Sequence, residues 1–236
     1  MKLSIVIPIK NEELLIKKIA DRLHSELKSL SYEIIFINDF STDNTAKVTE
    51  EIIKTKLQMN IYDNKRKGLG GAITEGINKA NGETVCIMMS DLSDSIDDLK
   101  KYYSIIEDES VDAVFGSRFI KGSKIIDYPK KKLILNRIFN LITKLLFISD
   151  YNDFTNAFKI YRKEALLKTF PLVSESFNIF LELPLKIISR KMKYKIIPIS
   201  WVNRKECVSK FDIKELRAKY LFTLTYCWLE KLLLKK

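Results

Sequence analysis

The stretch CIMMSDLSD, Cys86 to Asp94, carries an apolar run directly into carboxylates and hydroxyls, with Asp97 and Asp98 close behind. Asp91 and Asp94 are the residues whose type and spacing could do chemistry. Two carboxylates just past a buried strand suit a hard divalent cation, Mg2+ or Mn2+, which takes oxygen ligands and usually shares them with the phosphates of a nucleotide. Such a cation stabilises a diphosphate leaving group as charge builds on it. The structural alternative makes Asp94 or Ser93 the N-cap of a helix SIDDLKKYYSII, with Asp97 and Asp98 favouring its dipole. Capping explains Asp94 better than Asp91.

Other polar residues follow apolar runs in the same way. Asn11 and Glu12 come after LSIVIPI and Asp39 closes YEIIFIND; Asp39 and Asp43, in NDFSTDNT, also read as turn formers. The segment KGLGGAI has no glycine at Ile73, so it is not a G-x-G-x-x-G dinucleotide loop, and no G-x-x-x-x-G-K-[ST] occurs. Gly68, Gly70 and Gly71 then form either a turn before a helix or a close approach to a phosphate or sugar. Arg118, Arg137, Arg204 and Lys210 are basic residues that, taken singly, are as well read as solvated charges.

These residues need elements to position them. Strand and helix patterns alternate through the first half, the mark of βαβ units and a mostly parallel sheet. Strands are expected at LSIVIPI, YEIIFIND, MNIYDN, TVCIMMS and SVDAVFGSRF, and a last one at YKIIPISWVNR. Helices are expected over EELLIKKIADRLHSELKSL, over TAKVTEEIIKTK with Asp43 or Thr42 as its cap, and over AITEGINKA. SFNIFLELPLKIISRKM reads as a helix broken or kinked near Pro184. Ligands bind at the carboxyl ends of strands in open α/β sheets, so Asn11, Glu12, Asp39, Asp91 and Asp94 are expected to converge on one crevice.

The 236 residues, 46% hydrophobic with 7 Gly and 5 Pro, describe an ordered globular chain without repeats or a dividing linker. Cys86, Cys207 and Cys227 are far apart and His24 is the single histidine, which excludes a zinc spacing and fits a reducing compartment. The opening MKLSIVIPIKNEE reads as a first strand rather than a leader. No run is long and apolar enough for an ordinary transmembrane helix. Two segments, Lys130 to Ser149 and Leu216 to Lys236, instead mix Leu, Ile, Phe, Tyr and Trp with Lys and Arg, the composition of helices lying in a membrane interface. With a net charge of +11, an anionic membrane surface is the expected partner. The alternative is a pair of core helices with solvated charged faces.

Taken together, IVIPIKNEE, EIIFINDFSTDNT, KGLGGAITEGINKANGETVCIMMSDLSD, GSRF, DFTNAFKIYRKEAL and IIPISWVNRKECVSKF resemble the family-2 inverting glycosyltransferases with the GT-A fold, closest to the polyprenyl-phosphate sugar synthases. The resemblance implies a GT-A domain over 1–211, with a nucleotide-binding half 1–117 and an acceptor half 118–211, followed by a basic amphipathic helix over 212–236. It implies transfer of a hexose, with inversion, from a nucleotide diphosphate sugar to a lipid-linked acceptor such as a polyprenyl phosphate. Pro8, Asn11 and Glu12 would line the nucleoside pocket, and Asp39 would bond the base. Gly68 and Gly70 would approach the donor, and Asp91 would hold metal and diphosphate. Arg118 and Arg137 would meet phosphates, while Arg204 and Lys210 would belong to a loop closing on the donor. The family's D-x-D is Met89-Ser90-Asp91 here, so the first metal carboxylate is missing and Asp94 is the candidate replacement.

An acceptor phosphate is already an anion and needs no general base. A sugar hydroxyl on a growing glycan would need one, and Asp153 in NDFTN, otherwise a turn-capping residue, is the candidate. The site is expected on the cytoplasmic face, held peripherally. A sugar-phosphate nucleotidyltransferase is disfavoured because PIKNEE is not a glycine-rich basic loop, nucleic acid is not an expected partner, and an inactive scaffold is the remaining alternative.

Overall fold

The computed structural model describes residues 2–91, 93–202 and 213–234, with side chains from 218 onward in the last stretch. β1 (Leu3–Ile9) and β2 (Tyr32–Asn38) are buried along their whole length, as continuous apolar runs must be when both faces of a sheet are covered. Between them α1 (Ile16–Glu26) buries Ile16, Ile19, Ala20 and Leu23, one face at helical spacing. α2 (Thr45–Ile53), β3 (Met59–Asp63), α3 (Leu69–Lys79) and β4 (Thr84–Ile87) complete the alternating half. α4 (Ile96–Asp108) and β5 (Ala113–Ser117) follow.

The chain then becomes less regular. A short β6 (Lys124–Ile126) precedes α5 (Lys130–Phe147), and β7 (Lys159–Arg162) runs straight into α6 (Lys163–Leu167). α7 (Ile179–Ser189), β8 (Tyr194–Pro198), β9 (Ser200–Val202) and α8 (Ile213–Leu233) end the described chain. The main sheet has seven strands in the order β3-β2-β1-β4-β7-β5-β8. β7 is antiparallel to both β4 and β5, while the other pairings are parallel, so every strand but β7 points the same way.

Alternation along the strands divides the core between the two faces. Leu3, Ile5, Ile7 and Ile9 of β1 pack with α1, α2 and α4, and Val6 packs with α3 and with the layer that contains α6, α7 and α8.

Two expectations change. The segment YKIIPISWVNR is not one strand: β8 joins the main sheet beside β5, and β9 pairs with β6 in a separate ladder. α7 is not broken at Pro184, which sits inside a continuous helix. Proline cannot donate to the carbonyl four residues back, and that carbonyl, Phe180 O, accepts instead from the buried Lys159 ammonium at 3.4 Å.

Candidate active site

The parallel register makes a common rim. Ile9 lies beside Asn38, and Val6 beside Ile87, so the chain leaves β1, β2 and β4 on one edge. β5 ends at Ser117 on the same edge, next to Arg118. Because β7 runs the other way, it starts there, and the loop before it delivers Asp153 to that rim. Asn11, Glu12, Asp39, Asp91, Asp94, Arg118 and Asp153 therefore share one side of the molecule. Pro8 lies within β1, buried and paired with Ile37.

On the donor side Asp39 is a hub. Its Oδ1 accepts from Asn64 Nδ2 at 2.7 Å and from the Gly68 N–H at 2.8 Å, and its Oδ2 pairs with Lys10 at 3.3 Å. Asn64 also donates to Gly68 O at 3.1 Å and accepts from Arg66 N at 3.1 Å. Gly68 has a φ of 111°, open to glycine alone, and turns the chain into α3. A Cβ on Gly70 would stand 2.0 Å from Ser174 O, so a second backbone segment closes on the loop. The start of α3 is thus tied on both sides, the Gly68 N–H to Asp39 and the Gly70 N–H to Glu175 O at 3.0 Å. Asn11, at φ 53°, accepts from Thr42 N at 2.8 Å, and Glu12 N donates to Thr45 Oγ1 at 2.7 Å. Asp43 fills its turn-forming role: it accepts from Thr45 N at 3.0 Å at the start of α2.

Asp91 is half-exposed, and its Oδ1 accepts from the N–H and hydroxyl of Ser93 at 2.9 and 2.6 Å. The helix that follows is capped by neither Asp94 nor Ser93. Ser95 takes that position, accepting from Asp98 N at 3.4 Å. Asp94 instead turns inward, its carboxylate accepting from the backbone N–H of Met89, and makes a one-residue ladder contact with Trp201. Its Oδ2 is buried with no hydrogen-bond partner among the described residues. Burial and the neighbouring Asp91 charge push its carboxyl up to about 7, against the pull of Arg118. A buried carboxylate oxygen left without a donor is costly unless something positive occupies its front. Asp91 and Asp94 therefore fit a divalent cation. Among the described residues no group of three such ligands gathers, so they offer these two carboxylates and leave the remaining positions to phosphate and water.

Arg118 is enclosed. Asp153 accepts from its Nε at 2.8 Å, from Nη2 at 2.7 Å and from its backbone N–H at 2.9 Å. Burial works against the guanidinium charge, but the Asp153 carboxylate more than offsets it and holds the proton more firmly than in free arginine. Phe119, Tyr128 and Trp201 surround it at 5.4–5.7 Å. This corrects two expectations. Asp153 is fully buried with both oxygens engaged, so it does not stand as a free base, and Arg118 spends the fork of its guanidinium on Asp153 rather than presenting it whole to a phosphate. Arg137 is an exposed cation of the cluster, 4.8 Å over Phe119. Arg204 and Lys210 lie outside the described residues.

Lys159 is a member the sequence did not reveal. Fully buried beneath Asp153, its ammonium reaches Phe154 O at 3.2 Å and also Asn156 O, and burial lowers it to about 7. Asn64 was missed as well, because its role comes from meeting Asp39 across the rim.

α5 adjoins the cluster through Arg137. Asn140, Thr143 and Phe147 face inward, while Ile134, Leu135, Ile138, Leu141, Ile142 and Leu145 are each more than half exposed. α8 adds exposed Leu221, Phe222, Leu229 and Leu233. No helix among the described residues is long and apolar enough to cross a membrane.

Residues 4–170 match the profile of Glycosyl transferase family 2. The chain belongs to that family. Among curated relatives, this family-2 chain is 28% identical over 188 residues to a dolichol-phosphate mannosyltransferase of Pyrococcus furiosus, covering 79% of this chain and 53% of the relative. It is 28% identical over 224 residues to a dolichyl-phosphate beta-glucosyltransferase of Saccharomyces cerevisiae, covering 84% and 66%. It thus spans about half to two thirds of the length of these relatives. Glucosyl-3-phosphoglycerate synthase from Mycobacterium tuberculosis, solved with Mn2+, UDP-glucose and phosphoglyceric acid, superposes with a TM-score of 0.74 at 16% identity, over 96% of this chain and 79% of that one. TarS of S. aureus superposes at 0.59 and 18% identity, over 86% and 60%. The fold is that of the GT-A glycosyltransferases, a mostly parallel sheet flanked by helices.

Proposed function

We propose that this chain moves a hexose, with inversion, from a nucleotide diphosphate sugar to a lipid-linked acceptor, most simply a polyprenyl phosphate, while held peripherally at the inner face of the membrane. The observation that carries this reading is a shared border. Asp94, Arg118, Phe119 and Arg137 are in sequence across the rim, and Arg137 already belongs to the helix whose apolar stripe faces outward. The names of the curated relatives, which are dolichol-phosphate sugar transferases, agree with it. In this assignment 1–117 supplies the donor half and 118–211 the acceptor half, with the helix beyond 212 on the membrane side.

The nucleoside occupies the edge of β1 and β2, near Asn11, Glu12 and Asp39. The glycine loop, held by Asp39, borders the donor. Asp91 and Asp94 hold Mg2+ or Mn2+, which when bound neutralises charge on the departing diphosphate. Arg137 meets the acceptor phosphate from solvent, across Phe119 from the Arg118–Asp153 pair, whose charges offset each other. An acceptor phosphate oxygen attacks the anomeric carbon from the side opposite the diphosphate; the new C–O bond forms as the old one breaks, and the electron pair leaves on the diphosphate. The nucleophile carries no proton at neutral pH, so no base is required, which accords with Asp153 being fully engaged. That engagement disfavours transfer to a sugar hydroxyl.

The test is incubation with UDP- and GDP-hexoses and polyprenyl phosphate in vesicles, with and without Mn2+. Label is expected in the lipid phase, with the product anomer opposite to the donor's. Label in a water-soluble glycan would replace the acceptor reading; bound nucleotide without turnover would make the chain a scaffold. High salt or alkaline washing is expected to strip the protein from membranes, and retention after both would end the peripheral assignment.

A further inference from the structure

α8 is two-sided in a way its apolar composition conceals. Its outer residues Leu221, Phe222, Leu229 and Leu233 are exposed, whereas Thr223 and Cys227 are fully buried and Glu230 faces α7. The inner polar groups make specific bonds. Thr223 Oγ1 accepts from Asn178 Nδ2 at 2.8 Å, and the same amide donates to Ser174 Oγ at 3.0 Å. The Tyr220 hydroxyl donates to Phe177 O at 3.1 Å. Glu230 pairs with Arg190 at 2.6 Å and lies 3.8 Å from the Lys186 ammonium.

Lys186 in turn pairs with Glu182 at 3.1 Å, and both side chains are fully buried. Glu182 accepts the backbone N–H of Val173 at 2.9 Å and of Ser174 at 2.8 Å. The segment so held is the one that presses on the donor loop: Glu175 O accepts from Gly70 N at 3.0 Å, and Ser174 O leaves no room for a Cβ on Gly70. One unbroken run of hydrogen bonds and ion pairs thus joins the inner face of an outward-facing helix to the glycine loop. Packed, low-dielectric networks of this kind resist partial displacement, because an unpaired buried charge is costly.

We propose that Asn178 and Glu182 are positioning residues through which α8 sets the donor loop, so that seating α8 on an anionic lipid surface tightens nucleotide binding. The occupant follows from chemistry already described. The outer residues are apolar, and the adjoining α5 has no acidic residue but carries Lys130, Lys131, Lys132, Arg137 and Lys144, a surface complementary to anionic headgroups rather than to a basic or neutral partner. Seating the outer face of α8 on lipid fixes its inner face against α7, and that constraint reaches residues 173–175 through Thr223 and Glu230. By linkage the effect is reciprocal: bound nucleotide strengthens vesicle binding by the same factor. The inference rests on the donor and membrane assignments above, and its test separates it from them.

The full chain is titrated calorimetrically with UDP and with GDP, each with Mn2+, in buffer, with phosphatidylcholine vesicles and with vesicles also containing phosphatidylglycerol. With anionic vesicles the bound nucleotide's Kd is expected to fall about fivefold or more. Vesicle sedimentation with and without that nucleotide should give the same factor. Thr223→Val and Tyr220→Phe, each checked by thermal melting, should keep nucleotide and vesicle binding separately but reduce the factor toward one. An unchanged Kd with bound vesicles overturns the coupling and leaves the transferase reading intact. An unchanged factor in both variants overturns the proposed route. Failure to bind either nucleotide, or to bind vesicles, removes the donor or membrane assignment and the inference with it.

Discussion

Asp39 and Asp94 stand two strands apart on one rim, both nearly inaccessible, and they differ in how their charge is met. Asp39 is 6% exposed and surrounded by donors: an amide side chain, a glycine N–H and a lysine. Asp94 is 5% exposed, retains one oxygen without a donor among the described residues, and has its carboxyl pushed up to about 7. The first is a carboxylate whose partners belong to the fold, and removing it should loosen the glycine loop. The second is held at a cost that a proton or a bound cation relieves, which is how binding sites commonly differ from structural ones. Asp153 is an intermediate case, a buried carboxylate satisfied by a single arginine that is itself enclosed.

The sharpest separation should come from Asp91→Ala. Turnover is expected to fall at least about a thousandfold, with stability changed by less than about 1 kcal/mol, because Asp91 is half-exposed and bonds only Ser93. Its loss should also bring the Asp94 titration down, read by NMR of the carboxyl carbons. Full activity in this variant would leave Asp94 without a functional neighbour.

Asp39→Ala should be the costliest change for the fold, about 3 kcal/mol in chemical denaturation, since it strands Asn64 and the Gly68 N–H. Nucleotide affinity should fall with it. A neutral result would mean that the loop does not depend on this hub.

Asp94→Asn should move stability the other way. The carboxyl is neutral in both states below its ordinary value of 3.8; as pH rises toward 7 the unfolded chain ionises first, so the native state loses stability across that window. In the presence of a chelator the variant should therefore match the wild type near pH 4 and exceed it by up to about 4 kcal/mol at pH 8. It should lose Mn2+ binding as it gains stability. A melting curve no higher than wild type at pH 8 would break the contrast between the two aspartates.

The smallest effect on the fold belongs to Arg137→Ala, below about 0.5 kcal/mol because the side chain is exposed. The acceptor's KM should rise about tenfold while donor affinity holds, the signature of a lost phosphate contact. Equal losses for donor and acceptor would shift Arg137 from acceptor to shared machinery.

Much of this was legible in the chain. Local pattern was enough for β1, β2, β4 and β5, because a strand buried on both faces must be largely apolar and must end where polar residues begin; LSIVIPI and YEIIFIN correspond to their strands closely. Common polarity of those strands then placed Asn11, Asp39 and Asp91 on one edge. The glycine loop, the exposed stripe of α5 and the Mg2+- or Mn2+-suited pair of aspartates were readable for the same reason, each being a property of neighbours in sequence.

What only the tertiary structure decided was who partners whom. Asp153 and Arg118 are 35 residues apart, and nothing local shows that they close on each other. The antiparallel entry of β7, the division of YKIIPISWVNR between two sheets and the service that Lys159 renders to the carbonyl freed by Pro184 are likewise long-range. Secondary structure follows from the periodic placement of apolar side chains along the chain. The state of a buried charge depends on which donors and charges reach it across space, and at this rim that separates the aspartate that holds the loop from the one left open.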